Sequence, residues 1–214
     1  MDQEIEIISS ETRKEKIKNF FINNKNKLIS IVIFLLLVLF GFFFYQDYKK
    51  GHKEELANKY NVAVIEYESG EKSKIVNLLK DIIEDKDKTY SPLSFYFLLD
   101  NDLITSKEEI NKYFDILINE IGLDRENKNL TLFKKGLFNS EFASENELLN
   151  ILNPVIKSES IWKPHALYLM AEYYLAKKEK QKSKEFLEQL IGLENISEKI
   201  KLEAQKRLRS DFSE

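Results

Sequence analysis

The two histidines, His52 and His165, are the chain's only imidazole groups, and most of the sequence separates them. Neither stands with a second His, Asp or Glu at the spacing of a common metal-binding motif. The 214 residues include no Cys, which excludes thiolate metal sites, Fe–S clusters and thiol catalysis. We therefore predict no metal site and no cofactor.

Neighbouring carboxylates are the other residues that could do chemistry. Asp100 with Asp102, and Glu108 with Glu109, have the types needed for general acid/base catalysis. Such pairs are more simply interpreted as solvated helix faces and helix caps. The sequence also lacks the serine-hydrolase, zinc-protease and phosphate-loop motifs. We predict a protein that is not an enzyme and has no small-molecule substrate. An enzyme is the third hypothesis, which a measured hydrolase or transferase activity would revive.

The overall composition favours helices and argues against nucleic acid as a partner. The chain has 33 Lys and Arg against 36 Asp and Glu, a formal charge of -3, so it lacks the basic excess that neutralises phosphates. Three Pro and six Gly are too few for a many-turned β-sandwich or a glycine-rich nucleotide fold. We predict an all-α fold.

One uncharged segment, residues 28–45, breaks this polar average. Fifteen of its eighteen residues are Leu, Ile, Val or Phe. At about 1.5 Å per residue, a helix of this length spans roughly 27 Å, close to the thickness of a bilayer's hydrocarbon core. A buried core helix and a cleaved signal peptide are the alternatives. The bulky residues 42–46 do not form a signal-peptidase site, so we predict an uncleaved transmembrane helix over 28–45.

The orientation of this helix follows from the distribution of Lys and Arg. Six of these residues lie in the fifteen positions before the apolar run and four in the fifteen after it. Because cations resist translocation, we predict a cytoplasmic head over 1–27 and an extracytoplasmic domain over 46–214. In the head, Ser10 is a candidate N-cap for an amphipathic helix over residues 12–21. A solvated tail is the alternative.

After residue 46 the apolar residues recur every three or four positions, which predicts about eight amphipathic helices and a final one over 197–208. Ser106 with Glu109, and Ser144 with Glu147, fit the capping box that starts a helix. Leu137 is expected in the core of the fifth helix. The sixth helix is expected to stop at Asn153 and Pro154.

Equivalent apolar positions repeat every 35 to 38 residues. The first helices of successive pairs carry one set and the second helices carry another. These positions are Ala63, Leu98, Phe133 and Met170, and Leu79, Leu117, Leu152 and Leu190. The spacing is that of a helical-hairpin repeat, so we predict a solenoid of four hairpins with the last helix as its cap.

The segment over residues 167–190 resembles a tetratricopeptide repeat (TPR). Its large, small and aromatic residues follow the order of that family's pattern. They are Leu167, Met170, Ala171, Tyr174, Ser183, Leu187 and Leu190. The family's turn glycine is missing, and residues 177–180 stand there instead. The earlier repeats match only in spacing and hydrophobicity.

The whole layout resembles the bacterial membrane-anchored TPR-like family that includes the ancillary subunit of the Sec translocon. Its most specific part is a W-[RK]-P-x-A-x-x-L pattern, formed here by Trp162, Lys163, Pro164, Ala166 and Leu169. The resemblance implies a bacterial inner-membrane protein with a periplasmic domain. It also implies a chaperone-like or coordinating role towards translocon subunits or secreted clients. The alternative is a structural scaffold for cell-envelope or division complexes.

The TPR-like interpretation also predicts a partner-binding surface. Residues one turn away from the core positions would face the concave groove, where aromatic rings and polar groups can bind an extended segment. These candidates are His165, Tyr168, Glu172, Tyr96 and Asp100. The alternative is ordinary helix surface. We assign Trp162 and Pro164 to helix packing instead.

Overall fold

The computed structural model describes residues 2–70, 72–194 and 196–212, with the side chains of residues 2–12, 72 and 211 outside that description. The chain forms two compact units, Met1–Glu55 and Leu56–Glu214. Within the described ranges, all regular secondary structure is α-helical. The predicted all-α class is therefore confirmed.

Two helices account for the first unit. Helix α1 spans Asp2–Asn23, and helix α2 begins at Lys25 and continues to Glu68 in the second unit. The predicted helix start at Ser10 is wrong, because α1 already begins at Asp2 and Ser10 lies inside it. A helix interior tolerates serine at a cost of only some tenths of a kcal/mol.

The apolar run lies in the first part of α2. Among the described helices, only α2 is long and apolar enough to cross a membrane, and none of its most apolar 18-residue window is buried. Phe43 and Phe44, for example, are 66% and 75% exposed. These side chains therefore have no protein core around them within the first unit.

The second unit consists of the end of α2 and eight further helices. Their bounds are α3 Lys72–Glu84, α4 Tyr90–Asp100, α5 Lys107–Asn119, α6 Arg125–Asn139, α7 Glu145–Ile156, α8 Lys163–Ala176, α9 Lys180–Ile191 and α10 Glu198–Phe212. From α3 onwards each helix packs against the next one along the chain. Helices α6 and α8, which are first helices of successive predicted hairpins, also pack together.

The predicted repeat positions form the core of this stack. Seven of the eight are fully buried, at 0% exposure, and Phe133 is half-buried against the same core. Leu137, by contrast, is 52% exposed. The expectation for Leu137 is wrong because Gly136, rather than Leu137, faces α7 where the two helices touch.

Among the helices whose N-cap residue the structure describes, three begin with a side chain that accepts a backbone hydrogen bond. At α7 the full capping box forms: Ser144 Oγ accepts from the Glu147 N–H, and the Glu147 carboxylate accepts from the Ser144 N–H at 2.8 Å. At α5 only half of the predicted box forms. Ser106 Oγ accepts from the Glu109 N–H, but the Glu109 carboxylate binds elsewhere. Asp124 caps α6 by accepting from two backbone N–H groups.

Helix α7 does not stop at Asn153 and Pro154 as expected, but continues to Ile156. Proline lacks the N–H that would bond to the carbonyl four residues earlier. Pro154 is exposed and lies in the last turn, so only one intrahelical bond is lost at the surface. Burial of Leu152 and Val155 on the opposite side favours the longer helix.

Within the described residues, three turns use a left-handed residue that is not glycine. Lys86 after α3 has φ 56°, Asp102 after α4 has φ 53°, and Lys178 after α8 has φ 65°. At the turn after α8, the Lys178 N–H bonds to the Leu175 carbonyl and the Glu179 N–H to the Tyr174 carbonyl, which is a Schellman motif. Lys178 thus occupies the position where the TPR pattern has glycine.

The core of the second unit has two parts. The main cluster runs from Leu56 to Tyr174 along the stack. A smaller cluster joins α8, α9 and α10 through five buried residues, which are Leu167, Ala171, Leu187, Leu190 and Ala204. Helix α8 contributes to both, since Ala166 and Met170 belong to the main cluster.

Candidate functional site

Helices α4, α6 and α8 are the first helices of successive hairpins, and together they form what we call the first-helix face. All five predicted partner-binding residues lie on α4 or α8. The structure does not bring them together into one site. It divides them among three different surroundings.

Tyr96 lies between α4 and α6. Its hydroxyl oxygen is 3.3 Å from Thr131 Oγ1, and Lys134 Nζ lies 3.6 Å from the centre of its ring. Burial raises the pKa of Tyr96 above its ordinary value. Asp100, one turn further along α4, is exposed. Tyr96 is therefore a fixed aromatic side chain with a cation against one of its faces.

His165 belongs to an aromatic group between α6 and α8. Its ring centre lies 5.7 Å from that of Phe133 and 5.3 Å from that of Trp162, and Trp162 stacks on Phe133 at 5.9 Å. Within the described structure, His165 Nδ1 is buried and makes no hydrogen bond. Pro164 is buried beside this group. The assignment of Trp162 and Pro164 to helix packing is confirmed.

Tyr168 and Glu172 face the last helix, α10. The Glu172 carboxylate accepts two hydrogen bonds from the Arg207 guanidinium, at 2.9 Å to Nε and 2.6 Å to Nη2. This pairing raises the pKa of Arg207, and burial raises the pKa of Tyr168. Both predicted side chains are thus held by the cap of the stack.

The accessible part of the first-helix face contains apolar side chains that sequence reasoning did not select. A cavity of about 340 Å³ between α4 and α6 is lined by Leu93, Tyr96 and Leu130, among others. Leu93 is 43% exposed. Leu137, two helical turns after Leu130, lies on the same side of α6. The sequence signal that could have identified Leu93 is its position one helical turn before Tyr96 on α4.

A second groove lies outside this face, between α5 and α7, with α6 as its floor. It has two adjoining cavities of about 570 and 420 Å³, which share Lys135, Asn150 and Ile151. Lys135 Nζ is paired with Asp115 at 2.6 Å. Asn139, at one end of the groove, exchanges two side-chain hydrogen bonds with Asn111, at 2.8 and 3.1 Å. No sequence motif pointed to this groove.

Charged groups elsewhere join helices rather than form a reactive centre. Glu145 of α7 accepts from Tyr174 Oη at 2.8 Å and from Lys182 Nζ at 2.9 Å. The hydrogen bond from Lys182 lowers the pKa of Glu145, while burial and the carboxylate raise the pKa of Tyr174 to about 12. The described residues contain no group of three His, Asp or Glu that could hold a metal ion. The interactions described in this subsection are packing contacts, hydrogen bonds and ion pairs.

Comparison with known proteins gives one family match. No curated protein and no solved structure is significantly similar to the chain. The family match includes the apolar part of α2, the first predicted hairpin and α4. It does not reach residues 167–190, on which the resemblance to the repeat was based. Residues 18–102, less than half of the chain, match the family model of a tetratricopeptide repeat-like domain.

Proposed function

We propose that this protein is a single-pass membrane protein whose TPR-like domain binds other proteins. The observation that carries the binding proposal is the accessible first-helix face. There, Leu93 and Leu130 line a cavity with the fixed ring of Tyr96, and Leu137 is exposed further along α6. Aromatic and apolar side chains beside polar groups are typical of surfaces that bind peptides. TPR-like domains in general act as protein-interaction modules without catalytic residues.

Two observations support the membrane anchor. The apolar side chains of α2 are exposed along the whole run, which water disfavours and lipid favours. The family match also begins at residue 18, before the apolar run, and continues into α4. The matched unit therefore includes the apolar segment as well as repeat helices.

The finer proposal concerns location and partners. We place residues 1–27 in the bacterial cytoplasm, 28–45 in the inner membrane and 46–214 in the periplasm, because Lys and Arg are more frequent before the apolar run. The partners we propose are Sec translocon subunits or secreted clients, in line with the resemblance of the whole layout. The role towards these partners would be ancillary or chaperone-like.

Site-specific photo-crosslinking in living cells tests the binding proposal. A photoreactive amino acid at Leu93 or Leu137 samples the first-helix face, and one at Asn150 samples the groove between α5 and α7. We expect translocon subunits or exported proteins in adducts from the first two positions and few from Asn150. Adducts only from Asn150, or none from any position, would contradict the proposed surface.

A structural scaffold is the second candidate function, and a specific observation favours it. Val62 and Ile65 on α2 are 46% and 62% exposed, one turn apart, at the start of the stack. Such a pair is suited to contact with a second copy or another envelope protein. Light scattering of the full chain in mild detergent distinguishes a self-associating scaffold from a monomer that binds other proteins. A dimer that Val62→Lys converts to a monomer would support the scaffold.

A further inference from the structure

The second half of α1 concentrates positive charge next to the apolar run. Residues 13–27 contain six Lys and Arg and one acidic residue, Glu15. The cations are Arg13, Lys14, Lys16, Lys18, Lys25 and Lys27. All of these side chains are exposed. Four of these cations lie on α1 and two, Lys25 and Lys27, lie at the start of α2, so this part of the chain presents a net positive surface.

Apolar side chains lie among these cations and are equally exposed. Ile17, Phe20, Phe21 and Ile22 are 57–60% exposed. In the described part of α1, residues 13–23, no side chain is buried. A helix that carries cations and exposed aromatic rings without a protein core is suited to the boundary between lipid headgroups and acyl chains.

The position of α1 along the chain places it near such a boundary. Phe21 precedes Leu28 by seven residues, which is about 10 Å along a helix. This is just beyond the roughly 5–8 Å that the headgroup region adds to each side of the hydrocarbon core. Helical hydrogen bonding continues through the junction of α1 and α2, from the Asn24 N–H to the Phe20 carbonyl and from the Leu28 N–H to the Asn24 carbonyl. For α1 to lie in the headgroup layer, the chain must bend at Asn24, between the two helices.

We propose that residues 13–23 of α1 bind anionic phospholipid headgroups on the membrane surface next to the span. The proposal rests on the membrane anchor proposed above. The cations bind the lipid phosphates, while Ile17, Phe20 and Phe21 insert below them. Charge complementarity selects anionic lipids, because residues 13–23 have four cations and a single acid and are followed by Lys25 and Lys27.

Chymotrypsin cleavage of the full chain in lipid nanodiscs tests this proposal. The protease cuts after Phe20 and Phe21, and mass spectrometry identifies the N-terminal fragment. Nanodiscs contain phosphatidylcholine alone or phosphatidylcholine mixed with phosphatidylglycerol. We expect cleavage at these two sites to be about tenfold slower with phosphatidylglycerol, and the protection to be lost at high salt.

A matched pair of variants assigns the effect to α1. Lys14→Gln, Lys16→Gln and Lys18→Gln together keep both cleavage sites and should lose the lipid-dependent protection. The control replaces Lys49, Lys50 and Lys53, three exposed cations beyond the other end of the span, by Gln. Its cleavage sites at Phe20 and Phe21 should remain protected.

The possible results separate this proposal from the membrane anchor. Equal cleavage in both lipids, with the protein incorporated in the nanodiscs, would overturn the lipid proposal and leave the anchor standing. Loss of protection in the control variant would overturn the assignment to α1. A chain that does not incorporate into nanodiscs at all would overturn the anchor and this proposal together.

Discussion

Arg207 and Glu172 form a two-point ion pair that fixes the last helix of the stack to α8. Their hydrogen bonds measure 2.9 and 2.6 Å, and the side chains are 39% and 33% exposed. Planar, two-point pairing is the strongest arrangement available to an exposed arginine and carboxylate. It also occupies a carboxylate that the repeat pattern assigned to a partner.

We predict that Arg207→Ala loosens α10 without unfolding the rest of the stack. Because the pair is partly exposed, the expected loss is about 1 kcal/mol. Hydrogen exchange of the α10 amides should become faster, while exchange in α5 and α6 stays the same. Lys206→Ala, which removes the neighbouring exposed cation, is the control. Equal effects of both variants would contradict the role of the pair.

We predict that Gly136→Ala destabilises the protein although alanine favours helix. A Cβ at this position would overlap Leu152 Cδ2 and would lie 2.9 Å from Leu152 Cγ, and Leu152 is fully buried. Overpacking of this kind costs about 1–3 kcal/mol, more than the roughly 1 kcal/mol gained in helix propensity. Urea unfolding measures the change.

A double-mutant cycle shows whether the clash with Leu152 is the cause. Leu152→Ala alone should cost about 2–5 kcal/mol. The double variant should be clearly more stable than the sum of the two single changes predicts. Strictly additive effects would show that Gly136 is required for another reason.

We predict that Lys178→Gly stabilises the protein by about 0.5–1 kcal/mol. Its φ of 65° is unfavourable for a residue with a Cβ, and glycine adopts it without strain. Lys177→Gly is the control, because Lys177 has φ −78° and glycine there only adds freedom to the unfolded chain. Thermal unfolding of the two variants should shift in opposite directions.

We predict that Glu145 contributes stability that disappears in acid. Its pKa in the folded protein is below the ordinary 4.5, so the folded state binds fewer protons than the unfolded state as the pH falls. Glu145→Gln should therefore be less stable than the parent protein near neutral pH. This difference should shrink once the pH falls below 4.5.

Thermal unfolding between pH 3 and pH 7, roughly the range over which carboxylates titrate, measures this difference. Glu141→Gln, which changes an exposed carboxylate in the preceding loop, is the control and should give a small difference at every pH. A gap between Glu145→Gln and the parent that stays constant through the acid range would contradict the role of Glu145.

We predict that a reporter active only outside the cytoplasm is active when fused after Glu214. The excess of six cations over four around the apolar run is small, so the orientation should be sensitive to it. Replacing the six N-terminal cations by Gln should reduce the activity of the reporter. An inactive fusion of the unaltered chain would overturn the proposed orientation.

Local sequence signals were sufficient for most of the fold. The Ser144 capping box and the repeating core positions depend on neighbouring residues and on periodicity, and both are confirmed. The second hydrogen bond of the predicted Ser106 box does not form, because other side chains bind the Glu109 carboxylate instead. Its carboxylate is 2.6 Å from Lys80 Nζ and 3.1 Å from Tyr113 Oη. A choice between local and distant hydrogen-bond partners requires the tertiary structure.

The candidate surface shows the same limit. Helical periodicity placed Tyr96 and Tyr168 away from the core positions, and both are only partly buried. Periodicity within α8 could not show that α10 returns to Tyr168 and Glu172, because that contact joins residues 35 positions apart. Whether any of the five residues binds a partner stays a prediction.

The smaller cluster that joins α8, α9 and α10 has a consequence for how the protein melts. Stacked repeats gain stability mainly from their nearest neighbours. Within the described residues, the smaller cluster has five buried apolar residues, far fewer than the main cluster. A calorimetric scan should therefore show a shoulder at low temperature, from loss of this end, before the main endotherm of the remaining helices.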